Sequence, residues 1–177
     1  MLRMLINDCR RAVVFTGAGI STESGIPDFR GPNGLWTKIK PIDFQDFLRS
    51  EEVRQKSWRR WFEHGQGLLR AKPNAGHFAI AELVRQGRVS AVITQNVDNL
   101  HQYSGIASDR VIELHGNATY AKCLDCGTVI ALQAVEADYR RSGRVGPCAA
   151  CGGIVKTATI SFGQAMPDEP MRRAEQE

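Results

Sequence analysis

The sequence has no apolar run approaching the roughly 20 residues needed to cross a bilayer, and its opening MLRMLINDCRR is too short and too quickly charged for a secretory leader. A cytoplasmic location is therefore expected. It also lacks a strong charge bias: 23 basic and 19 acidic residues give a formal net charge of +4, and the basic ones are scattered. Neither a membrane partner nor a specific nucleic-acid partner is expected from that balance. The compositional signatures of disordered, collagen-like and coiled-coil chains are missing as well, because 42% hydrophobic and 24% charged residues lie close to globular averages. With 177 residues there is room for one domain carrying small inserts, and too little for two full cores.

Without an export signal, five cysteines point away from a disulfide framework and towards metal or catalytic roles. Cys9 stands alone and reads as a plain buried thiol on a first helix over residues 2–10. The other four form two Cys-x-x-Cys pairs, Cys123 with Cys126 and Cys148 with Cys151, separated by residues 127–147. That is the spacing of a tetrahedral zinc site, in which each pair sits on a tight turn and presents two thiolates about 2.3 Å from one ion. Gly127, Gly152 and Gly153 follow the second cysteine of each pair, where the turn needs positive φ and a close approach of amides to sulfur. Four thiolates leave no position for water, so the zinc is expected to be structural.

The rest of the chain reads as strands alternating with helices. Ala12–Phe15 ending in Thr16, Val89–Thr94 and Val111–Leu114 are β-branched runs without alternation, as in strands buried on both faces of a parallel sheet. Each stops at a polar or glycine-rich cluster: Gly17-Ala18-Gly19, Gln95-Asn96-Val97-Asp98 and His115-Gly116-Asn117. Ligands of open parallel sheets lie beyond the carboxyl ends of the strands, so the three clusters should converge on one site. Helical patterning covers about 43–49, 51–70 and 75–86, with Asn74 as an N-cap. Residues 31–88 exceed what one crossover helix requires and are read as a helical insert, and 118–157 as a zinc module. Residues 11–30, 89–117 and 158–177 remain for a Rossmann-like part, giving an α/β fold with a small helical and four-cysteine zinc-binding domain inserted.

Gly17-x-Gly19 lacks the third glycine of a dinucleotide fingerprint, since Thr22 stands in its place. The continuation through Asp28-Phe29-Arg30 strengthens it: a helix from Ala18 would aim free amides at a pyrophosphate, and a loop with a carboxylate, an aromatic ring and a guanidinium suits a lid over a nucleotide. Gln95, Asn96 and Asp98 offer more polar groups than an N-cap needs and suit ribose hydroxyls and an amide. Among the histidines, His77 and His101 read as core or capping residues. His115, immediately after a strand, suits a general base near neutral pH, though a structural histidine fits the same position.

Taken together, GAGISTESGIPDFRGPNGLW (17–36), TQNVDNLH (94–101), ELHGN (113–117), the cysteine pairs and SFGQAMP (161–167) resemble the sirtuins, NAD-dependent protein lysine deacylases. The resemblance implies a Rossmann-like sheet with a small zinc-and-helix domain, NAD as co-substrate, structural zinc and an acylated-lysine protein or peptide as partner. It implies that Gly17, Ala18, Gly19, Ile20, Thr22, Phe29 and Arg30 serve the NAD phosphates and cofactor loop. Gln95, Asn96, Val97 and Asp98, with Ile26 and Asp28, serve the ribose and nicotinamide, and His115 is the base. In the implied reaction the acyl oxygen of a modified lysine displaces nicotinamide, and the acyl group passes to ADP-ribose.

Three departures qualify the implied activity. Where the family has a basic residue followed by proline, and later Phe-Gly-Glu, this chain has Lys156-Thr157 and Phe162-Gly163-Gln164 beside the peptide groove. Where the desuccinylating branch carries Tyr-x-x-Arg, it has Trp61 and His64, which favours acetyl or other uncharged acyl groups. It also stops within DEPMRRAEQE, a helix opening with Asp168 as cap and Pro170 in the first turn. The segments that hold the adenosine half of NAD in sirtuins do not appear. The expectation is a C-terminally truncated sirtuin whose three-stranded sheet leaves apolar surface partly uncovered. The competing readings are a non-catalytic zinc-binding interaction module and, for a hydride-transferring dehydrogenase, nothing in the sequence.

Overall fold

The computed structural model describes residues 12–28, 31, 34 and 40–177. The expected helix at 2–10, Cys9, and the Phe29-Arg30 part of the expected lid lie outside these residues. Strands β1 (Ala12–Thr16), β2 (Val89–Thr94) and β3 (Val111–Glu113) form a parallel sheet in the order β1-β2-β3. The register pairs Thr16 with Thr94 and Thr94 with Glu113, so all three strands end level. The third strand stops one residue earlier than the apolar run suggests, because Leu114 and His115 turn the chain directly into the next strand.

Between β1 and β2 lie helices α1 (Phe44–Arg49), α2 (Glu51–His64), α3 (Gln66–Arg70) and α4 (Ala75–Arg85). The single helix expected over 51–70 is in fact two. Gly65 and Gly67 weaken propagation there by about 1 kcal/mol each relative to alanine, and Gly65 closes α2 on the Trp61 carbonyl. Asn74 caps α4 as expected, accepting from the Gly76 and His77 amides, while His77 Nδ1 accepts in return from the Asn74 amide. Helix α4 packs Ile80, Ala81 and Val84 on one face of the parallel sheet against Val92, Ile106 and Val111.

After the short helix α5 (Leu100–Tyr103) and β3, a second sheet follows that sequence patterning did not anticipate. It is antiparallel, in the order β5-β4-β6: β4 (Gly116–Cys123) in the centre, flanked by β5 (Val129–Ala131) and β6 (Val155–Thr159). Helix α6 (Leu132–Ser142) lies against it. The helical and cysteine-bearing segments share one core, in which Trp58 of α2 is buried among Ala121, Cys123, Leu132, Val135, Val145, Cys148 and Val155. The Trp58 indole N–H donates to the Val155 carbonyl at 3.2 Å, joining α2 to β6 through a satisfied buried polar group.

Helix α7 (Asp168–Gln176) sets Met171 and Ala174 on the other face of the parallel sheet, against Ala91, Ile93, Ile112 and Leu114. Its N-cap position is Pro167, which makes no side-chain capping bond, and Asp168 is its first helical residue instead of its cap. Val13 of β1 packs against the same cluster, whereas Phe15 keeps 60% of its surface exposed. No helix among the described residues is long and apolar enough to cross a membrane.

Candidate active site at the strand ends

The three polar clusters do converge. Hydrogen bonding continues one residue past β2 and β3: the Gln95 amide donates to the Thr16 carbonyl at 3.0 Å and the Leu114 amide to the Thr94 carbonyl at 2.9 Å. The helix expected from Ala18 is a short 3₁₀ helix, Ala18–Ser24. Serine and threonine compete for the backbone here: the Thr22 hydroxyl donates to the Gly19 carbonyl at 2.9 Å. Gly25 then ends the turn in the left-handed conformation, its amide and that of Ile26 reaching back to Thr22 and Ser21.

Ser21 is the residue that sequence reasoning passed over. Buried to 1% exposure, its hydroxyl donates to Asp98 Oδ2 at 2.7 Å and accepts from Asn96 Nδ2 at 3.1 Å. Asn96 Nδ2 also reaches the Gly17 carbonyl at 3.1 Å, and Asp98 Oδ1 accepts the Leu100 amide at 3.0 Å. Ser21 thereby stitches the glycine turn to the Asn96-Val97-Asp98 segment. The signal available in the sequence was a small hydroxyl residue inside GAGIST, facing a neighbouring cluster of amide and carboxylate groups. Gln95 is exposed, Val97 accepts the Ala118 amide at 2.8 Å, and Ile20, Ile26 and Asp28 are half-buried. The Asp28 carboxylate accepts the Gly31 amide at 2.9 Å. A Cβ placed on Gly17 or Gly19 would meet nothing, so the surface over the turn is open to a ligand, in keeping with a dinucleotide cradle.

His115 sits half-buried on the turn between β3 and β4, with Nδ1 3.0 Å from the Gln95 carbonyl oxygen. A carbonyl only accepts, so Nδ1 carries the proton and Nε2 offers its lone pair, the tautomer a general base requires. Beneath the site, His77 and His101 are core residues with ring centroids 5.1 Å apart. His101 Nε2 lies 2.9 Å from the Thr16 hydroxyl, which itself donates to Thr94 at 2.8 Å. Burial depresses the pKa of both, and His101, which also feels the neighbouring His77 ring, falls to about 4 while the Asp98 charge opposes the shift.

The four expected cysteines come together, with their sulfur atoms all within 4.8 Å of one another. Cys123 and Cys151 are 3.5 Å apart and Cys126 and Cys148 3.9 Å. Zinc–sulfur bonds of about 2.3 Å in tetrahedral geometry place sulfurs about 3.8 Å apart, so the donor set fits zinc. Gly127 and Gly152 both adopt positive φ, and the Gly153 amide donates to Cys151 Sγ at 3.4 Å.

Comparison with known proteins follows the same lines. A model of the Sir2 family matches residues 17–177. An NAD-dependent protein deacetylase 1 of Bradyrhizobium diazoefficiens is 54% identical over 96% of this chain, and an NAD-dependent protein deacetylase of Rhodopseudomonas palustris is 54% identical over 92%. The chain spans 66% and 64% of the lengths of these two relatives. Among solved structures, a complex of Sir2 with a p53 peptide and NAD+ superposes with a TM-score of 0.84 at 35% identity, covering 98% of this chain and 68% of the other. A Sir2 bound to a propionylated peptide gives 0.82 at 35% identity, again over 98% and 68%.

Proposed function

The chain belongs to the Sir2 family, and on that premise we propose that it is an NAD-dependent protein lysine deacylase, acting chiefly as a deacetylase. The observation that carries the reading is the His115 ring, held through Nδ1 on the carbonyl of Gln95, the residue that leads into the Asn96-Asp98 segment. We assign Gly17, Ala18, Gly19, Ile20 and Thr22, with Phe29 and Arg30, to the NAD phosphates and cofactor loop. Gln95, Asn96, Val97 and Asp98, with Ile26 and Asp28, are assigned to the ribose and nicotinamide. When bound, NAD supplies a ribose carbon with a good leaving group and a diol able to receive the acyl group. His115 Nε2 takes a hydroxyl proton, and the Nδ1–H bond to Gln95 persists and strengthens once the ring is charged. Asp98, fixed by the Ser21 hydroxyl and the Leu100 amide, contributes a preorganised negative charge near developing positive charge.

The partner in this reading is a protein or peptide bearing an acylated lysine. Trp61 packs against the shared core and His64 is exposed, so neither supplies a guanidinium to an acidic acyl group, which supports acetyl or other uncharged groups. Zinc at Cys123, Cys126, Cys148 and Cys151 is structural, and four reduced thiols suit a cytoplasmic location. The organisation we propose is a Rossmann-like part of residues 11–30, 89–117 and 158–177, with inserts at 31–88 and 118–157; the core shared by Trp58 and the cysteine segment supports treating the inserts as one body.

The test is nicotinamide release by the purified chain with NAD and an acetyl-lysine peptide. Release is expected together with deacylated peptide, and His115→Ala should form no deacylated peptide at unchanged zinc content. A chain that holds zinc and releases no nicotinamide would overturn the reading in favour of a non-catalytic zinc-binding module.

A further inference from the structure

We infer that Glu113 and Asn117, braced by Gln102 and Asn99, are positioning residues that set the orientation and tautomer of His115; the inference rests on the deacylase reading of the same site. His115 occupies the middle of Glu113-Leu114-His115-Gly116-Asn117, and the two ends of this segment are joined side chain to side chain: Asn117 Nδ2 donates to Glu113 Oε1 at 2.7 Å. The second hydrogen of that amide goes to Asn99 Oδ1 at 2.9 Å, and the amide oxygen accepts from both the Thr119 backbone N–H, at 2.8 Å, and its hydroxyl, at 2.7 Å. All four hydrogen-bonding positions of a 3% exposed amide are therefore filled, and the Thr119 N–H fixes which end is oxygen.

The bracing reaches the partner of His115. Asn99 lies in the same segment as Gln95, whose carbonyl takes the His115 Nδ1–H. Asn99 is also the only non-glycine residue with positive φ among the described residues, at 63°, a conformation asparagine tolerates better than most and which its side-chain bond to Asn117 rewards. Gln102 Nε2 closes the far side, donating to the same Glu113 Oε1 at 2.8 Å. The clamp thus ties both walls of the His115–Gln95 bond, residues 113–117 and 95–99, into one hydrogen-bonded frame. An unconstrained imidazole side chain prefers its proton on Nε2, which would present a donor where a base needs a lone pair. Both donors to Glu113 meet one oxygen, so an uncharged amide carbonyl at position 113 would serve the frame equally well. Burial, the largest influence, raises the Glu113 carboxyl above the ordinary range, consistent with a geometric and not an ionic role.

The test is two-bond ¹H–¹⁵N NMR of the zinc-loaded full chain, with the His115 signals assigned by a His115→Gln variant. His115 is expected as the Nδ1–H tautomer in the wild type and in Glu113→Gln. In Asn117→Ala at least half the population should move to Nε2–H. Asn99→Gly, which suits positive φ and removes only the acceptor, should shift it in the same direction and serves if Asn117→Ala fails to fold. Unchanged His77 and His101 signals certify an intact core. Formation of deacylated peptide should show kcat reduced about tenfold or more in Asn117→Ala with the peptide KM within about twofold. Retention of the Nδ1–H tautomer in a folded Asn117→Ala, or in Asn99→Gly, overturns the clamp whatever the activity. A tautomer shift in a series whose wild type releases no nicotinamide leaves the clamp standing and removes the deacylase reading alone.

Discussion

Mild acid should destabilise this protein through His101 before it titrates the surface carboxylates. His101 is 2% exposed, its Nε2 reaches the Thr16 hydroxyl, and burial beside His77 lowers its pKa from 6.5 to about 4. The folded state therefore favours the neutral ring, and the unfolded chain binds the proton first. Stability from this group is complete above about pH 6.5 and is lost as pH falls towards 4, where the loss saturates. The full difference is worth about 3 kcal/mol at roughly 1.4 kcal/mol per pH unit, and about 1 kcal/mol is already lost by pH 5.5. His77, shifted in the same direction, adds to it. The assay is urea unfolding followed by tryptophan fluorescence at about pH 7.5 and 5.5, comparing wild type with His101→Gln. That variant keeps a donor for Thr16 but cannot titrate, and the shared cysteine site cancels from the difference. The wild type should lose about 1 kcal/mol more than the variant between these conditions. Equal losses would refute a buried, neutral His101.

Ser21→Ala removes the group that joins Asp98 to Asn96 in a buried setting, and should cost about 1–3 kcal/mol in urea unfolding together with weakened NAD binding by calorimetry. Chelation of the metal should unpin Cys123 and Cys148 from the Trp58 core. A red-shifted tryptophan emission that is absent in Trp58→Phe is the expected signature, with hydrogen exchange in β1 and β2 little changed. Gly116→Ala places a side chain at φ 71° and against the Ala158 carbonyl. The left-handed conformation alone costs about 1–2 kcal/mol, so a lowered melting temperature is expected; an unchanged one would contradict the β4–β6 pairing at Gly116.

The parallel strands were legible because burial on both faces leaves an uninterrupted β-branched run, as in Val89–Thr94, and the cysteine site because its chemistry demands fixed spacing. The helix break at Gly65 was readable in principle, since His64-Gly65-Gln66-Gly67 carries two poor helix formers, but the apolar pattern runs through it. The antiparallel sheet was not legible. Its strand β5 has three residues, and β4 mixes buried Ala118, Ala121 and Cys123 with polar neighbours, so only tertiary pairing defines either strand. In the site, motif residues were found individually, whereas the couplings through Ser21, Asn99 and Glu113 link positions far apart in sequence and leave no local periodicity.

The passage from β3 to β4 takes only Leu114 and His115, so the chain passes from the parallel to the antiparallel sheet at the residue that carries the imidazole. Mechanically this is a pivot. If one sheet rocks against the other, displacement grows with distance from the axis: β5 and the cysteine turns sweep the widest arc, while residues on the axis, and the end of β6 paired with Gly116, turn almost in place. Breathing of the cleft can then widen or narrow its mouth at little expense in the alignment of His115.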